Sequence, residues 1–315
     1  MFKRLYIIGN GFDLHHGINS SYKDFREWMY ENSPDVIEKV EEIYEVCSKE
    51  WWSDFENQLA SLDIIGYSSI IAFENQPDLL SEHCDRTWED AQFEVEKQLG
   101  ILYNDIRECF HDWILQLNPP LKSRKIELTT KEAVFINFNY TKTLENLYGI
   151  SPHKIFHIHG CIDEDENFIL GHRKSIDELN LIKTNYLESS SYYPEEDNFP
   201  EFHEQLAIEA TINQLYSQRK PVEEIIKKHD RFFNSLTEIT NISVYGLSMS
   251  RIDMPYLKHI LSIIKSAKWE FSDYNGFNNE RITNFCKDNN IINYKIISLS
   301  EIVNPRQLKI PFPDL

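Results

Sequence analysis

Short apolar runs alternate with longer polar-apolar segments along much of the chain. Runs of this kind, bounded by turn residues or charged residues, are typical of the buried strands of a parallel sheet. The pattern predicts strands at residues 5–8, 133–137, 154–159, 168–170, 242–246, 268–272 and 294–298.

Many of the segments between these strands carry apolar residues at spacings of three and four, which indicates amphipathic helices. The clearest pattern runs from Trp88 to Leu117 and ends at Asn118-Pro119-Pro120, because proline cannot continue a helix. Residues 173–200 are polar and aromatic, and we expect an irregular segment there. Further helices are predicted at 142–148, at 201–238 with a break near Pro221, at 255–266 and at 278–288.

Strands that alternate with helices after residue 130 predict an α/β fold with a mostly parallel sheet covered on both faces. The first strand is expected to join this sheet. The predicted domain division is therefore a core of residues 1–21 and 119–315, with residues 22–118 inserted as a helical cap.

The charge of the chain limits the classes of partner. Lys and Arg number 32 and Asp and Glu 51, which gives a formal net charge of −19. A chain this acidic repels phosphate backbones, so we expect no direct nucleic-acid binding, although a local basic pocket for a small anion is still open. The apolar run after Arg4 is too short for a signal peptide, and no stretch has the ~20 apolar residues of a membrane span. We expect a soluble cytoplasmic protein without membrane binding, compatible with a homo-oligomer.

The first candidate site is the turn after the first strand, Gly9-Asn10-Gly11-Phe12-Asp13. A strand that ends in Gly-x-Gly and leads into a helix can bring backbone N–H groups close to a pyrophosphate. Leu14 stands where the third glycine of a dinucleotide motif would be, so a plain tight turn is an equal interpretation. Asp13 is interpreted either as a ligand for a substrate hydroxyl or as a helix cap.

A second candidate follows the strand at 133–137, in Asn137-Phe138-Asn139-Tyr140-Thr141. Side chains alternate along an extended chain, so Asn137 and Asn139 are expected to face the same way. They lie at the carboxyl edge of the sheet, where open α/β sheets hold ligands. The alternative interpretation is that Asn139 or Thr141 is the N-cap of the following helix, and a cap at Thr141 leaves Asn139 as the functional candidate.

The third candidate is His157-x-His159-Gly160. An imidazole at the exposed carboxyl end of a strand, followed by glycine, suits a general base near neutral pH, so His159 is the candidate. His157 is interpreted as a hydrogen-bonded core residue. A metal site with His172 is disfavoured because no Asp or Glu stands at a tight ligand spacing, and the scattered cysteines contain no Cys-x-x-Cys pair. No metal is expected.

The fourth candidate is Gly246-Leu247-Ser248-Met249-Ser250, followed by Asp253. It partly matches the Gly-x-Ser-x-Gly nucleophile elbow, but Ser250 replaces the second glycine. The only later histidine, His259, falls in a helix pattern, which disfavours a hydrolase triad. A loop that holds ribose or phosphate fits better, with helix capping by Ser250 or Asp253 as the alternative. All four candidates follow predicted strands, where the ligand crevice of a Rossmann-like sheet belongs.

Several stretches of the sequence resemble the AbiH family, named for bacteriophage abortive infection. They span most of the chain in the family's order, and the resemblance implies a prokaryotic antiviral protein. The stretches are LYIIGNGFDLHHGINSSYKDF (5–25), WWSDFENQL (51–59), FINFNYTKTLENLYG (135–149), IFHIHG (155–160), ILGH (169–172) and VYGLSMSRIDMPYL (244–257).

The same motifs are similar to those of sirtuins and sirtuin-like defence NADases. Thr141 stands where the sirtuins have an Asp, residues 19–23 interrupt the first motif, and the Cys₄ zinc ribbon that accompanies protein deacylation is absent. Gly9-Asn10-Gly11 is similar to the Gly-Ala-Gly turn of the sirtuins, and Asn139 is similar to the Asn of their Gln-Asn-Ile-Asp motif. His159-Gly160 is similar to the catalytic His-Gly, and Gly246-Leu247-Ser248 is similar to the Gly-Thr-Ser that binds the dinucleotide.

This second resemblance implies a Rossmann-like, sirtuin-like core and an NAD glycohydrolase that releases nicotinamide and ADP-ribose. NAD or a related nucleotide is then the ligand or substrate, with no helper cofactor. The alternative is a nucleotide-sensing or partner-binding defence protein without turnover, which the Thr141 departure favours. The implied catalytic residues are His159 and Asn139, and the implied nucleotide contacts are Gly9, Asn10, Gly11, Phe12, Asp13, Thr141, Gly246, Ser248 and Asp253.

Overall fold

A computed structural model describes residues 2–77, 87–162, 168–191 and 202–302. Its centre is a six-stranded sheet in which every pairing is parallel. The order is β3-β2-β1-β4-β5-β6, so the predicted parallel sheet is confirmed. The strands are β1 (Arg4–Ile8), β2 (Ala133–Asn137), β3 (Ile155–His157), β4 (Asn241–Tyr245), β5 (Lys268–Ser272) and β6 (Tyr294–Ile297).

The strand order changes direction at β1. From β1 the chain builds outwards through β2 and β3, and it then returns to build outwards on the other side through β4, β5 and β6. At the carboxyl ends Ile8 is level with Asn137 on one side and Tyr245 on the other. In open α/β sheets a crevice forms at such a switch point, and the turn after β1 lies there.

Both faces of the sheet are buried, as near-continuous apolar strands predict. One face carries Leu5, Ile7 and Val244 and packs against helices α10 to α13. The other carries Tyr6, Ile8 and Phe135 and packs against α1 and α7. These helices are α1 (Asn10–His15), α7 (Thr143–Tyr148), α10 (Val222–Lys228), α11 (Asp230–Asn234), α12 (Met254–Ile263) and α13 (Asn279–Asp288).

The chain divides into two compact units. The sheet unit comprises the described residues within 1–21, 114–169 and 221–315, and the helical unit those within 22–113 and 170–220. The predicted core covers all of 119–315, whereas the structure groups 170–220 with the helical unit. The remaining helices are α2 (Tyr22–Asn32), α3 (Pro34–Ile43), α4 (Phe55–Gln58), α5 (Ile64–Glu74), α6 (Asp90–Leu115), α8 (Ile176–Ser191) and α9 (Phe202–Ser217).

The core of the helical unit is aromatic. Phe25 contacts the rings of Phe55 and Phe110, and Trp52 stacks on Phe55. Among the described residues, no helix combines the length and the hydropathy that crossing a membrane requires.

Two sequence predictions are wrong. The apolar run at 168–170 forms no strand, although Phe168 and Leu170 are buried. The segment expected to be irregular contains α8 over Ile176–Ser191; residues 173–175 are irregular, and 192–200 lie outside the described residues.

Candidate functional site

Two glycine turns pack against each other at the switch point. The amide of Gly11 donates to the carbonyl of Gly246 at 2.8 Å. Gly246 has a φ of +70°, and a Cβ there would lie 2.0 Å from the amide nitrogen of Phe12. A Cβ on Gly9 would lie 2.7 Å from the carbonyl oxygen of Gly246. Glycine is therefore required here by the close approach of two backbones.

The N–H groups of Gly9, Gly11 and Phe12 in the first turn bond within the protein. Gly9 donates to the carbonyl of Tyr245 and Phe12 donates to that of Gly9, both at 2.9 Å. The side chain of Asn10 is bound to Ser20, through its amide to the carbonyl and through its oxygen to the hydroxyl. A role of Gly9, Asn10, Gly11 and Phe12 in holding a pyrophosphate stays a prediction.

Asp13 is a buried carboxylate with no exposed surface. Burial raises its pKa from 3.8 to about 6, against hydrogen bonds from Thr141, Thr143 and Asn139, and the charge of Glu145 adds to the rise. The Thr141 hydroxyl donates to Asp13 Oδ2 at 2.5 Å. Asp13 lies inside α1 and caps no helix, and Lys142 rather than Thr141 occupies the N-cap position of α7. Both capping interpretations are wrong.

Asn139 connects the end of β2 to the turn after β1. Its side-chain amide donates to the carbonyl of Gly9 at 3.2 Å, and its backbone amide donates to Asn137 Oδ1 at 3.1 Å. The Asn137 side chain also donates to the carbonyl of Thr141 at 3.2 Å. The loop over 137–141 is thus fixed at both ends, with Asn139 and Thr141 directed at the first turn.

His159 lies at the carboxyl end of β3 but is not exposed. Only 2% of its surface is accessible, and its ring contacts those of Phe138 and Tyr256 at centroid distances of 5.4 and 5.8 Å, with Tyr140 at 6.4 Å. The expectation of an exposed imidazole is wrong. Its role as a general base stays a prediction.

His157 is half-buried, and both of its ring nitrogens have hydrogen-bond partners. Its Nε2 lies 2.9 Å from Glu145 Oε1, with 16% and 14% of the two side chains exposed. Its Nδ1 lies 3.4 Å from the side-chain nitrogen of Asn137. The sequence analysis missed Glu145. An acidic residue in the first turn of the helix that follows the Asn137–Thr141 loop is the signal that could have found it.

Asp253 organises the fourth candidate loop. Its Oδ2 accepts hydrogen bonds from the Ser248 hydroxyl at 2.9 Å and from the amide and hydroxyl of Ser250, both at 3.1 Å. Asp253 also stands at the N-cap position of α12, although its side chain makes no cap bond to that helix. Ser248 is exposed. Ligand binding by Ser248 and Asp253 stays a prediction.

A pocket of about 380 Å³ opens in the sheet unit beside the Asn137–Thr141 loop. Thr141 and Thr143 form part of its wall, so the pocket lies one hydrogen bond away from Asp13. Two lysines, Lys122 and Lys142, also line it, together with Asn118 and Asn146, and the other lining residues are apolar. No motif in the sequence predicts this pocket, because its walls come from segments that are far apart along the chain.

The metal alternative has no counterpart in the described part of the chain. His172 belongs to the helical unit, where its ring nitrogens bond the backbone of Leu215 and Lys174. Within the described ranges no group of three or more His, Cys, Asp or Glu residues could hold a metal ion.

A family model described as bacteriophage abortive infection AbiH matches residues 5–273. The chain belongs to the AbiH family. The matched range includes β1 to β5 and every candidate site residue, and the family suggests a phage abortive-infection defence protein. No curated protein matches the chain.

Proposed function

We propose that this AbiH-family protein acts in antiphage defence by binding NAD or a related nucleotide and hydrolysing NAD to nicotinamide and ADP-ribose. The observation that carries the proposal is the hydrogen bond from Thr141 to the buried Asp13 at the switch point of the sheet. The strand order β3-β2-β1-β4-β5-β6 is that of Rossmann dinucleotide-binding folds, which bind their ligand at this point.

The charge of the pocket supports an anionic ligand. Lys122 and Lys142 line it in a chain of net charge −19, and a local pair of cations suits the phosphates of a nucleotide. The apolar part of the wall suits an aromatic base. Thr141 and Thr143 also line the pocket, and their hydroxyl oxygens are candidate hydrogen-bond acceptors for a ribose.

The proposed reaction breaks the bond between the ribose C1′ and the nicotinamide nitrogen. A water oxygen bonds to C1′, the electron pair of the broken bond neutralises the pyridinium nitrogen, and a base takes the proton of the water. We assign Asn139 to orientation of the water or of the ribose. His159 is the base that the sirtuin resemblance implies. Asp13 is a second candidate base that would act through Thr141 of the pocket wall, whose hydroxyl would pass its proton to Asp13 as it takes one from the water; burial raises the pKa of Asp13 to about 6, near the working pH.

Two observations favour a second function, nucleotide sensing or partner binding without turnover. His159 is enclosed by the rings of Phe138 and Tyr256, so substrate does not reach it in this conformation. The amides of Gly9 and Gly11 already bond backbone carbonyls. A protein that senses a nucleotide keeps the pocket and needs no exposed base.

NAD consumption by the purified protein tests the proposal. The protein is incubated with NAD, with and without extract of phage-infected cells, and nicotinamide and ADP-ribose are measured by chromatography. The variants are Asn139→Ala and, as a matched control, Asn234→Ala, which changes an exposed asparagine of the same unit.

Equimolar nicotinamide and ADP-ribose, lost in Asn139→Ala and kept in Asn234→Ala, support the hydrolase. Calorimetric binding of NAD without products supports the sensor. Absence of both binding and products, with and without the infected-cell extract, overturns the nucleotide proposal in either form.

A further inference from the structure

A continuous set of hydrogen bonds joins two carboxylates of the sheet unit. It begins at Glu145 on α7, whose Oε1 pairs with Nε2 of His157 on β3. His157 Nδ1 faces the side-chain amide of Asn137 at 3.4 Å. Asn137 in turn bonds the backbone of Asn139 and Thr141. These last two residues bond the carbonyl of Gly9 and the carboxylate of Asp13.

The donors and acceptors in this network are mutually consistent. The Asn137 amide group donates, so His157 Nδ1 must accept, which assigns the neutral tautomer with the proton on Nε2. That proton is then donated to Glu145. Both ring nitrogens of His157 are engaged, so this imidazole cannot take a proton from substrate without releasing a partner. The geometry of His157 is suited to positioning Asn137.

The charge of Glu145 also acts on Asp13. Oε2 is buried and has no hydrogen-bond partner within the described part of the chain. The charge of Glu145 is one of the causes that raise the pKa of Asp13, alongside burial and against the bonds from Thr141, Thr143 and Asn139. The two ends of the network are therefore coupled by charge as well as by hydrogen bonds.

We propose that Glu145 and His157 are positioning residues of the site, which act through Asn137 to hold Asn139 against Gly9 and Thr141 against Asp13. This inference rests on the proposed function for its kinetic consequence. Because the network consists of the protein's own groups, it also has a consequence that does not depend on turnover.

The kinetic test compares three variants with the native protein. His157→Leu breaks both bonds of the ring. His157→Gln keeps a donor for Glu145 and an acceptor for Asn137, and Glu145→Gln keeps an acceptor for His157. His153→Leu is the control, because His153 is an exposed histidine just before β3.

We expect His157→Leu to lower kcat for nicotinamide release about 10–100-fold with little change in KM, because a misplacement of about 1 Å costs up to 10²-fold. His157→Gln and Glu145→Gln should recover most of that loss, and His153→Leu should match the native protein. An equal loss in His157→Leu and His157→Gln, or a rise of KM alone, overturns the positioning role.

The second test follows the titration of the Asp13 carboxyl carbon by NMR without any ligand. His157→Leu should raise the pKa of Asp13 above its value of about 6, because loss of the Thr141 bond removes an interaction that lowers it. Glu145→Gln should lower this pKa, because it removes a nearby negative charge while the bond to His157 persists.

Opposite shifts in these two variants support the network, since general loosening of the fold gives no such pair of signs. An unchanged Asp13 titration in both variants overturns it. If the native protein does not hydrolyse NAD, the proposed function fails and the Asp13 titration alone decides the network. If His157→Leu does not fold, the other two variants decide whether the network exists. The pKa of Asp13 should then be lowered in Glu145→Gln and unchanged in His157→Gln.

Discussion

The hydroxyl of Thr141 donates a hydrogen bond to the buried carboxylate of Asp13, although 128 residues separate them in the sequence. The turn after β1 and the loop after β2 are therefore joined by a polar contact at the centre of the sheet's carboxyl edge. A carboxylate without exposed surface is costly to keep charged. We therefore expect the charge of Asp13, and the strength of this contact, to depend on pH.

Asp13→Asn should weaken the pH dependence of stability. Burial raises the pKa of Asp13 from 3.8 to about 6, so between these values the folded state holds a proton that the unfolded state releases. Stability from this group therefore falls as pH rises through that window, by about 3 kcal/mol in all. Urea unfolding at pH 4 and pH 7 measures the change, which the variant should lack.

Asp288→Asn, at an exposed position of α13, is the control for Asp13 and should leave the pH dependence as it is. If Asp13→Asn and Asp288→Asn show the same difference between pH 4 and pH 7 as the native protein, Asp13 is not a carboxylate with a raised pKa.

Gly246→Ala should prevent the two glycine turns from packing. A Cβ at this position would lie 2.0 Å from the amide nitrogen of Phe12, and the φ of +70° disfavours any side chain. The free energy of unfolding should fall by about 3 kcal/mol or more, since backbone cannot move aside as a flexible side chain can. Thermal unfolding of the purified variant measures the loss.

Gly149→Ala separates the two causes of that loss. Gly149 has a similar φ of +66°, but a Cβ there would meet no atom within 4 Å. It should cost only the left-handed backbone penalty of about 1–2 kcal/mol. Equal losses for Gly149→Ala and Gly246→Ala would mean that the close approach of the turns contributes nothing.

The strands could be predicted from the sequence because burial on both faces leaves a local signature. The runs at 5–8 and 133–136 are apolar throughout, and each forms most of a central strand. The same signature was misleading at 168–170, where the residues are buried without joining the sheet. An apolar run reports burial, and it does not report whether a neighbouring strand is present.

The candidate site could be predicted only in part. Glycines and polar residues at strand ends mark the carboxyl edge, and Asn139 does reach the first turn there. The pairing of Glu145 with His157 and the burial of His159 depend on contacts between elements that are distant in sequence. No local spacing encodes such contacts, so neither could be read from the motifs alone.

Glu56→Gln should destabilise the helical unit strongly. Glu56 forms an ion pair of 2.7 Å with Lys220, which is only 2% exposed. Glu56→Gln takes away a charge that offsets the burial of the Lys220 ammonium, and breaking a buried ion pair in this way costs about 3–5 kcal/mol. Chemical unfolding measures the loss, and Lys220→Met added to Glu56→Gln should recover much of it.

Glu94→Gln is the matched control for this ion pair. Glu94 pairs with Lys97 on the surface of α6, where the lysine is 65% exposed, so its loss should cost less than about 1 kcal/mol. A cost for Glu56→Gln no larger than that for Glu94→Gln would show that the Lys220 pair is not held in a low-dielectric environment.

His159→Ala and Asn139→Ala should differ in stability and agree in turnover. His159 is packed among the rings of Phe138 and Tyr256, so its truncation leaves a cavity and should lower the free energy of unfolding by about 2–4 kcal/mol. Asn139→Ala removes the hydrogen bonds of this side chain to the carbonyl of Gly9 and to Asp13 and should cost about 1–2 kcal/mol. If both residues serve the proposed hydrolysis, nicotinamide release per folded molecule should fall about 10²–10⁴-fold in each.

Circular dichroism gives the folded fraction against which turnover is normalised. Native turnover per folded molecule in His159→Ala, with loss confined to Asn139→Ala, would leave His159 a core residue and transfer the role of the base to Asp13.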